Sequence, residues 1–296
     1  MNSIIDEVKD SFRQGSILTK FIYLNIGVFL AVKIVQIFLY LFNSPDNTMN
    51  FLKWLAVSAD FSELIRKPWT VITYMFLHEN FIHILFNLLW FYWFGKIFLE
   101  YFEQKKLAGV YILGGLAGAV LYILSFNIFP AFGSILNNSL ALGASASVMA
   151  IVIAVSFYVP DHTVHMMFFG QVKIKYLAIG VFLLTSVFDF STNTGGKIAH
   201  IGGALLGYLF TYQFRKGKDI TRGINRLMDS IVSFFKPGQK MKVTYKRPKT
   251  DMEFNRQKAE KQNEVDGILD KISKGGYESL TKKEKEILFK MGKRNE

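Results

Sequence analysis

The sequence predicts an all-α integral membrane protein: a bundle of six transmembrane helices followed by a small cytoplasmic helical tail. Three observations lead to this class. Of the 296 residues, 51% are hydrophobic, the apolar residues are grouped in long stretches, and the net charge of +12 belongs mainly to the C-terminal part. A membrane-spanning helix needs about 17–25 mainly apolar residues. The apolar residues of this chain are too concentrated in long stretches for a single soluble core.

Six apolar stretches reach or approach the spanning length. In chain order they are Lys20–Phe42, Tyr74–Tyr101, Leu107–Phe126, Gly143–Val159, Tyr176–Phe188 and Ile198–Phe214. Acidic and basic residues crowd the first fifteen positions, and the first apolar stretch is longer than the apolar core of a signal peptide. We therefore expect the first stretch to remain in the protein as a membrane helix, which gives six spans.

The distribution of lysine and arginine predicts the orientation. With six spans, the N-terminal segment, the second and fourth connections and the C-terminal tail share one side of the membrane. That side receives most of the basic residues near the helix ends. Because basic residues favour the cytoplasmic side, we expect both termini in the cytoplasm and the protein in a bacterial inner membrane.

The chain after Phe214 changes character. From Arg215 to Glu296, lysine and arginine outnumber aspartate and glutamate by 22 to 12, a surplus of +10. Ile220–Phe235 places apolar residues at helical intervals beside Arg222 and Arg226. This pattern suits a helix on an anionic lipid surface, so the bilayer and its anionic lipids are expected partners. The tail shows no named nucleic-acid motif, and we do not expect nucleic acid as a partner.

The chain is predicted to have four parts. They are an N-terminal segment, a membrane domain, a basic amphipathic and linker segment, and a short helical segment, at residues 1–19, 20–214, 215–262 and 263–296.

Two short helices are predicted in the last part. Asn263–Ser273 and Lys282–Met291 flank a glycine pair, and a linker over residues 236–249 precedes them. Thr281 and Glu284 have the spacing of a capping box at the start of the second helix.

A serine and a histidine lie inside apolar stretches. Ser145 is about one turn into the fourth span, and His200 is at a similar depth in the sixth. Both spans are entered from the outer side, so the two side chains are expected at the same level. Hydrocarbon does not solvate polar groups, and such residues are usually functional there. A serine needs a neighbouring base to act as a nucleophile, which makes the pair a candidate Ser–His dyad.

Small residues surround this candidate pair. The sixth span repeats them every four positions, at Gly195, Ala199, Gly203 and Gly207, and the fourth span has Gly143 before its serine. Such faces let two membrane helices approach closely. A membrane serine taken alone more often bonds the carbonyl four residues earlier, but a histidine on a small-residue face favours the catalytic interpretation.

A third element lies on the second span. His83 and Asn87 are four residues apart and therefore share one helix face. Both side chains can donate a hydrogen bond to a developing oxyanion, together with the backbone N–H of Ser145. His83 taken alone would more often be a packed interfacial histidine. The whole set is suited to acyl transfer.

These residues resemble the rhomboid intramembrane serine proteases. Three motifs carry the resemblance: His83-x-x-x-Asn87, Gly143-x-Ser145 and Ala199-His200-x-x-Gly203-x-x-x-Gly207. It covers roughly Phe12–Phe214 and implies a six-helix fold. It also implies Ser145 as nucleophile and His200 as general base and then acid, with His83 and Asn87 stabilising the oxyanion. No metal and no cofactor are implied, and the substrates would be transmembrane helices that unwind near small residues.

Two positions depart from the family pattern. Ala146 stands where the serine motif usually ends in glycine, and Trp69-Thr70 stands where many relatives have a Trp-Arg pair. Any role of that arginine in the first external loop therefore does not transfer to this chain.

Other functions remain open from the sequence. A rhomboid-like pseudoprotease would bind transmembrane clients without cutting them, but it would normally lack the serine or the histidine. A proton-coupled transporter would place its polar residues near the midplane, whereas these lie shallow and on one side. A haem or metal protein would have only His83 and His200 to support it, and the absence of cysteine excludes thiol chemistry. His78 is expected to be an interface or gating residue, and Asp189 is left out of the site.

Overall fold

The computed structural model describes residues 11–42, 50–166, 170–188, 193–235 and 250–292. The chain divides into two compact units, residues 1–236 and 237–296. Among the described residues, the helices of the first unit include α1 (Ile17–Leu41), α2 (Phe61–Arg66), α3 (Thr70–Thr73), α4 (Phe81–Tyr101), α5 (Gln104–Ile128), α6 (Ser145–Tyr158), α7 (Ile174–Phe182), α8 (Thr194–Arg215) and α9 (Arg222–Phe235). The result is a helical membrane protein, in agreement with the predicted class.

Three of these helices, α1, α4 and α5, are long and apolar enough to cross a membrane. The α6 helix is a shorter apolar helix, as is α7 together with the π-helical turn Leu183–Val187 that continues it. The α8 helix has 22 residues. Each of the six predicted stretches therefore contains a helix, while the number of spans stays a prediction.

The second predicted stretch begins too early. Its first residues, Tyr74–Phe76, form a 3-10 turn, and α4 begins only at Phe81. Asn80 causes the separation, because its side chain accepts a hydrogen bond from the backbone N–H of His83 at 2.9 Å and so caps the helix. The apolar composition of this stretch conceals the break.

Four short strands are an addition to the predicted all-α fold. Strands β1 (Val57–Ser58) and β2 (Leu140–Ala141) pair antiparallel, and β3 (Thr163–Met166) forms a hairpin with β4 (Gly170–Lys173). Strands of two to four residues are too short to show the alternation of apolar and polar residues that reveals a strand in a sequence.

The α6 and α8 helices lie side by side and run in the same direction. A side chain at Gly203 would meet the backbone of Ala146, and one at Gly207 would meet the carbonyl of Ala150. One turn further, the Thr211 hydroxyl donates to the Ala154 carbonyl at 2.7 Å. The contacts advance by one turn on both helices at once, so small residues every fourth position fix the register.

The α5 helix packs against the same pair. A Cβ atom built on Gly118 would lie 2.6 Å from the Cβ atom of Ala146 and 2.9 Å from the carbonyl oxygen of Ala199. The methyl group of Ala146 thus occupies space that the missing side chain of Gly118 leaves. This packing explains how alanine is accommodated at the position where the family pattern has glycine.

The α9 helix packs on α5. Thr221, just before α9, is fully buried, and its Cβ atom lies 2.5 Å from the position of a Cβ atom on Gly109. Leu227, Ile231 and Phe234 remain 51–84% exposed on α9. The predicted amphipathic helix is present, with part of its apolar side packed and part uncovered.

The second unit contains α10 (Asp251–Gly275), a 3-10 turn (Tyr277–Ser279) and α11 (Lys282–Gly292). Ile268 and Leu280 are buried apolar residues of this unit, and Lys271 bonds Glu284 at 2.6 Å. The α11 helix begins at the predicted capping box, since the Thr281 backbone N–H donates to Glu284 at 2.8 Å. Hydrogen bonds to Lys271 and Thr281 lower the pKa of Glu284 to about 2.

The first tail helix was predicted too short. It begins at Asp251 rather than Asn263, inside the third predicted part (residues 215–262), because Thr250 and Glu253 form a second capping box. An Arg256–Glu260 pair at 2.9 Å supports its first turns, which have few apolar residues to form a pattern. The linker over residues 236–249 lies outside the described residues, and the four-part division stays a prediction.

Replacement of Gly207 by alanine tests the close contact between α6 and α8. The new methyl group would overlap the Ala150 carbonyl and force the two backbones apart, at a cost of about 1–3 kcal/mol. We expect a lower melting temperature for the purified protein in detergent.

Gly27→Ala on α1 is the matched control, because nothing lies within 4 Å of a Cβ atom there. It should melt at or above the wild-type temperature, since alanine favours helix over glycine. A Gly207→Ala protein as stable as wild type would contradict the described packing.

Candidate active site

Ser145 lies at the first position of α6. The sequence placed it about one turn inside the span, and the structure moves it to the helix end. Strand β2 leads to this point and pairs with β1, while the backbone N–H of Gly143 donates to the Tyr74 carbonyl at 2.9 Å. The loop that contains β1 and Tyr74 therefore fixes the segment immediately before Ser145.

Gly143 brings the serine and His83 together. A Cβ atom at Gly143 would lie 3.2 Å from the His83 Nε2 atom and 3.5 Å from the Ser145 hydroxyl oxygen. Gly143 also has a φ of +135°, which L side chains rarely adopt. A side chain here would be strained and would enter the space between the two polar groups, so both the conformation and the space require glycine.

The start of α6 supplies hydrogen-bond donors. The first helical bond runs from the Val148 N–H to the Ala144 carbonyl at 2.9 Å. The N–H groups of Ser145, Ala146 and Ser147 come before it and have no acceptor within the helix. Donors of this kind suit an oxygen that becomes negatively charged next to the serine.

Asn87 lies one turn below His83 on α4 and is 7% exposed. Its side-chain amide donates to the His83 carbonyl at 2.9 Å. An amide nitrogen has two hydrogens, so this bond leaves a second donor. The bond also fixes the orientation of Asn87 relative to His83. The oxyanion role of the two residues stays a prediction.

His200 is oriented by a hydrogen bond to another helix. Its Nδ1 atom lies 3.0 Å from the backbone carbonyl oxygen of Thr185, in the π-helical turn after α7. A carbonyl only accepts, so Nδ1 carries the hydrogen of this bond. In the neutral ring, Nε2 then has a free lone pair and is the nitrogen available as a base.

The packing brings the segments of Ser145 and His200 together. The neighbours Ala146 and Ala199 both lie within 3 Å of the Cβ position of Gly118, at 2.6 and 2.9 Å. Gly203 and Gly207 pack against the backbone of the two turns that follow the serine. The hydrogen bond between the serine hydroxyl and His200 stays a prediction.

Sequence reasoning missed the surroundings of His78. His78 is 4% exposed, and its ring packs edge-on against His83 with centroids 5.3 Å apart. Its role as an interface or gating residue stays a prediction. Neither ring nitrogen has a hydrogen-bond partner among the described residues. The spacing of five residues between the two histidines is the available signal in the sequence. Asp189, which was left out of the site, lies outside the described residues.

The first loop is stabilised without the arginine of the family pattern. The rings of Trp54 and Trp69 stack at 5.9 Å, and the Trp69 Nε1–H donates to the Trp54 carbonyl at 2.8 Å. The Thr70 hydroxyl donates to the Lys67 carbonyl at 2.7 Å. Local bonds thus close this loop.

Within the described ranges, no three His, Cys, Asp or Glu side chains are grouped to hold a metal ion.

Comparison with known proteins gives two matching families. The Rhomboid domain profile matches residues 66–217, which contain every residue of the candidate site. A family of unknown function, DUF6576, matches residues 249–294 and so covers the two helices of the second unit.

Two curated proteins are similar to this chain. RHOMBOID-like protein 12, mitochondrial, from Arabidopsis thaliana is 29% identical over 161 residues, which are 50% of this chain and 47% of that protein. Rhomboid protease GlpG from Yersinia pseudotuberculosis serotype I (strain IP32953) is 26% identical over 191 residues, or 62% of this chain and 61% of that protein. The chain thus spans about half to three fifths of the length of these relatives. With the Rhomboid profile matching half of its length, the chain belongs to the rhomboid family.

Proposed function

We propose that this protein is an intramembrane serine endopeptidase that cleaves transmembrane helices through Ser145 and His200. One observation carries the proposal: the Ser145 hydroxyl oxygen and the His83 Nε2 atom both lie within 3.5 Å of the Cβ position of Gly143. Ser145 begins α6, and α6 packs against α8, the helix that bears His200. The relative named a rhomboid protease supports the proposal.

In the proposed reaction, the Ser145 hydroxyl oxygen attacks the carbonyl carbon of the scissile peptide, and His200 Nε2 takes the hydroxyl proton. The carbonyl oxygen becomes an oxyanion beside the Ser145 N–H, His83 and Asn87. The C–N bond then breaks as His200 returns its proton to the amine. Water attacks the acyl-serine by the same route, and releases the acid product and the free serine.

The proposed substrates are transmembrane helices of other proteins. A backbone hydrogen-bonded within a helix presents no free carbonyl to a nucleophile, and lipid offers no substitute partners. A substrate must therefore unwind locally. Small residues ease this step, because glycine has a low helix propensity and small side chains lose few packing contacts. The residues at the site supply the donors that would replace the lost helical bonds.

The membrane arrangement belongs to the same proposal. We infer six spans from the lengths of the apolar stretches, and both termini in the cytoplasm from the lysine and arginine distribution. We propose residence in a bacterial inner membrane. The uncovered apolar side chains of α9, beside Arg222 and Arg226, support contact with anionic lipid.

The second candidate is a rhomboid-like pseudoprotease that binds transmembrane clients. The sequence similarity, at 26% and 29% identity, is compatible with both functions. The presence of both Ser145 and His200 favours the enzyme.

A fluorophosphonate probe, which reacts with activated serines, distinguishes the two functions. We expect labelling of the purified full-length protein in detergent and its loss in Ser145→Ala and His200→Ala. Loss of the nucleophile or base lowers such rates by orders of magnitude.

Ser147→Ala and His165→Ala are the matched controls. Ser147 is fully buried on the same helix, His165 is exposed on the β3–β4 hairpin, and both variants should still be labelled. If folded wild type reacts neither with this probe nor with a second serine-reactive reagent, the pseudoprotease is favoured.

Ala146→Gly tests the departure next to the nucleophile. The change removes a methyl group that packs at Gly118, but it removes no hydrogen bond. We therefore expect the labelling rate to stay within about tenfold of wild type. A hundredfold loss in folded protein would show that the methyl group shapes the site.

Truncation tests the tail. A chain ending at residue 236 keeps α9 and should be labelled like wild type. A chain ending at residue 214 lacks α9 and Thr221, which packs on Gly109, and should melt at a lower temperature. Absence of labelling in a folded 1–236 protein would contradict a tail that is dispensable for chemistry.

A further inference from the structure

The end of the α7 segment is bonded to two side chains of α8. The Nδ1 atom of His200 donates to the Thr185 carbonyl at 3.0 Å, and the Lys197 Nζ atom donates to the Phe188 carbonyl at 2.8 Å. Lys197 and His200 are three residues apart and therefore lie on one face of α8. The two bonds join the same face of one helix to the same end of the other.

The local structure of this end explains why its carbonyls accept hydrogen bonds from another helix. Leu183–Val187 is a π-helical turn, in which the Phe188 N–H bonds the Leu183 carbonyl at 3.0 Å. The Thr185 hydroxyl donates to the Val181 carbonyl at 2.8 Å and so secures the turn. The last carbonyls of a helix lack partners within it. At this helix end they take donors from α8.

Lys197 is suited to hold the turn. Its residue is 8% exposed, and a buried ammonium group requires hydrogen-bond partners. Its positive charge also lies at a helix C-terminus, where the helix dipole favours a cation. The Lys197–Phe188 bond is therefore a strong attachment between α8 and the residues that follow the π-helical turn.

We propose that this attachment sets the tautomer of the catalytic histidine. Lys197 holds the end of the α7 segment so that the Thr185 carbonyl stays at His200 Nδ1, which keeps the hydrogen on Nδ1 and the lone pair on Nε2. Lys197 and Thr185 are positioning residues that act through His200. The inference rests on the proposed function, because the tautomer matters only if His200 is the base.

Loss of the attachment affects His200 in a specific way. Without a fixed Thr185 carbonyl, the hydrogen can move to Nε2, and the ring can then no longer accept the serine proton in that form. The ring can also rotate, and misplacement of a reacting group by about 1 Å costs about a hundredfold in rate. Lys197→Met should therefore change both the tautomer and the reactivity of Ser145, and Lys197→Arg should restore much of both.

Nitrogen-15 NMR of the histidine rings tests the proposal in the full-length protein. The resonances of His200 are assigned by their loss in His200→Gln, at a pH where the ring is neutral. We expect a protonated Nδ1 and an unprotonated Nε2 in wild type, and a larger fraction with Nε2 protonated in Lys197→Met. Fluorophosphonate labelling of Lys197→Met should be about a hundredfold slower.

Lys175→Met is the matched control. Lys175 lies at the other end of α7, where it bonds Asp161 at 2.9 Å, and its loss should change neither tautomer nor labelling. A wild-type ring protonated on Nε2 would overturn the proposal, even if Lys197→Met does not fold. An unchanged tautomer in folded Lys197→Met would overturn the role of the lysine. Absent labelling of wild type with the expected tautomer would instead overturn the proposed function.

Discussion

The close approach of α6 and α8 is the constraint on which the candidate site depends. Gly203 and Gly207 leave room for the backbone of α6, and each further turn repeats the contact with a small residue. Because the two helices run in the same direction and in a fixed register, a residue near the start of one is held at the level of a residue near the start of the other. The serine and the histidine come from distant parts of the sequence. Their relative positions depend on the close helix packing that glycine, without a side chain, allows. The same helices leave space for α5, which meets Ala146 through Gly118.

Three residues of the candidate site are each held by a separate hydrogen bond to a backbone carbonyl. Gly143 is fixed by the Tyr74 carbonyl, Asn87 by the His83 carbonyl, and His200 by the Thr185 carbonyl. Backbone carbonyls move little when the helices that bear them are packed. For the proposed reaction, these bonds would orient the side chains before a substrate arrives, which reduces the reorganisation that the reaction requires.

The sequence predicts the helices well where apolar periodicity or small-residue spacing determines them. The motifs around Ser145 and His200 and the capping box at Thr281 are local patterns, so they can be recognised in the sequence. What the sequence hides depends on single hydrogen bonds, whether local or between distant residues. Asn80 ends an apolar stretch that otherwise looks continuous, and the β1–β2 pair is too short to show a pattern. The bond from His200 to Thr185 depends on a π-helical turn, for which an apolar segment gives no sign.

The α6 helix has 14 residues, which at about 1.5 Å per residue make it about 21 Å long. The hydrocarbon core of a bilayer is about 30 Å thick. Residues 146–156 of this helix are buried by neighbouring helices, so in the proposed arrangement its Ser145 end lies below the membrane surface among protein rather than lipid. A substrate helix that reaches this end must exchange some of its lipid contacts for contacts with protein. Part of it then loses its apolar surroundings at the depth of the serine, which lowers the cost of unwinding it there.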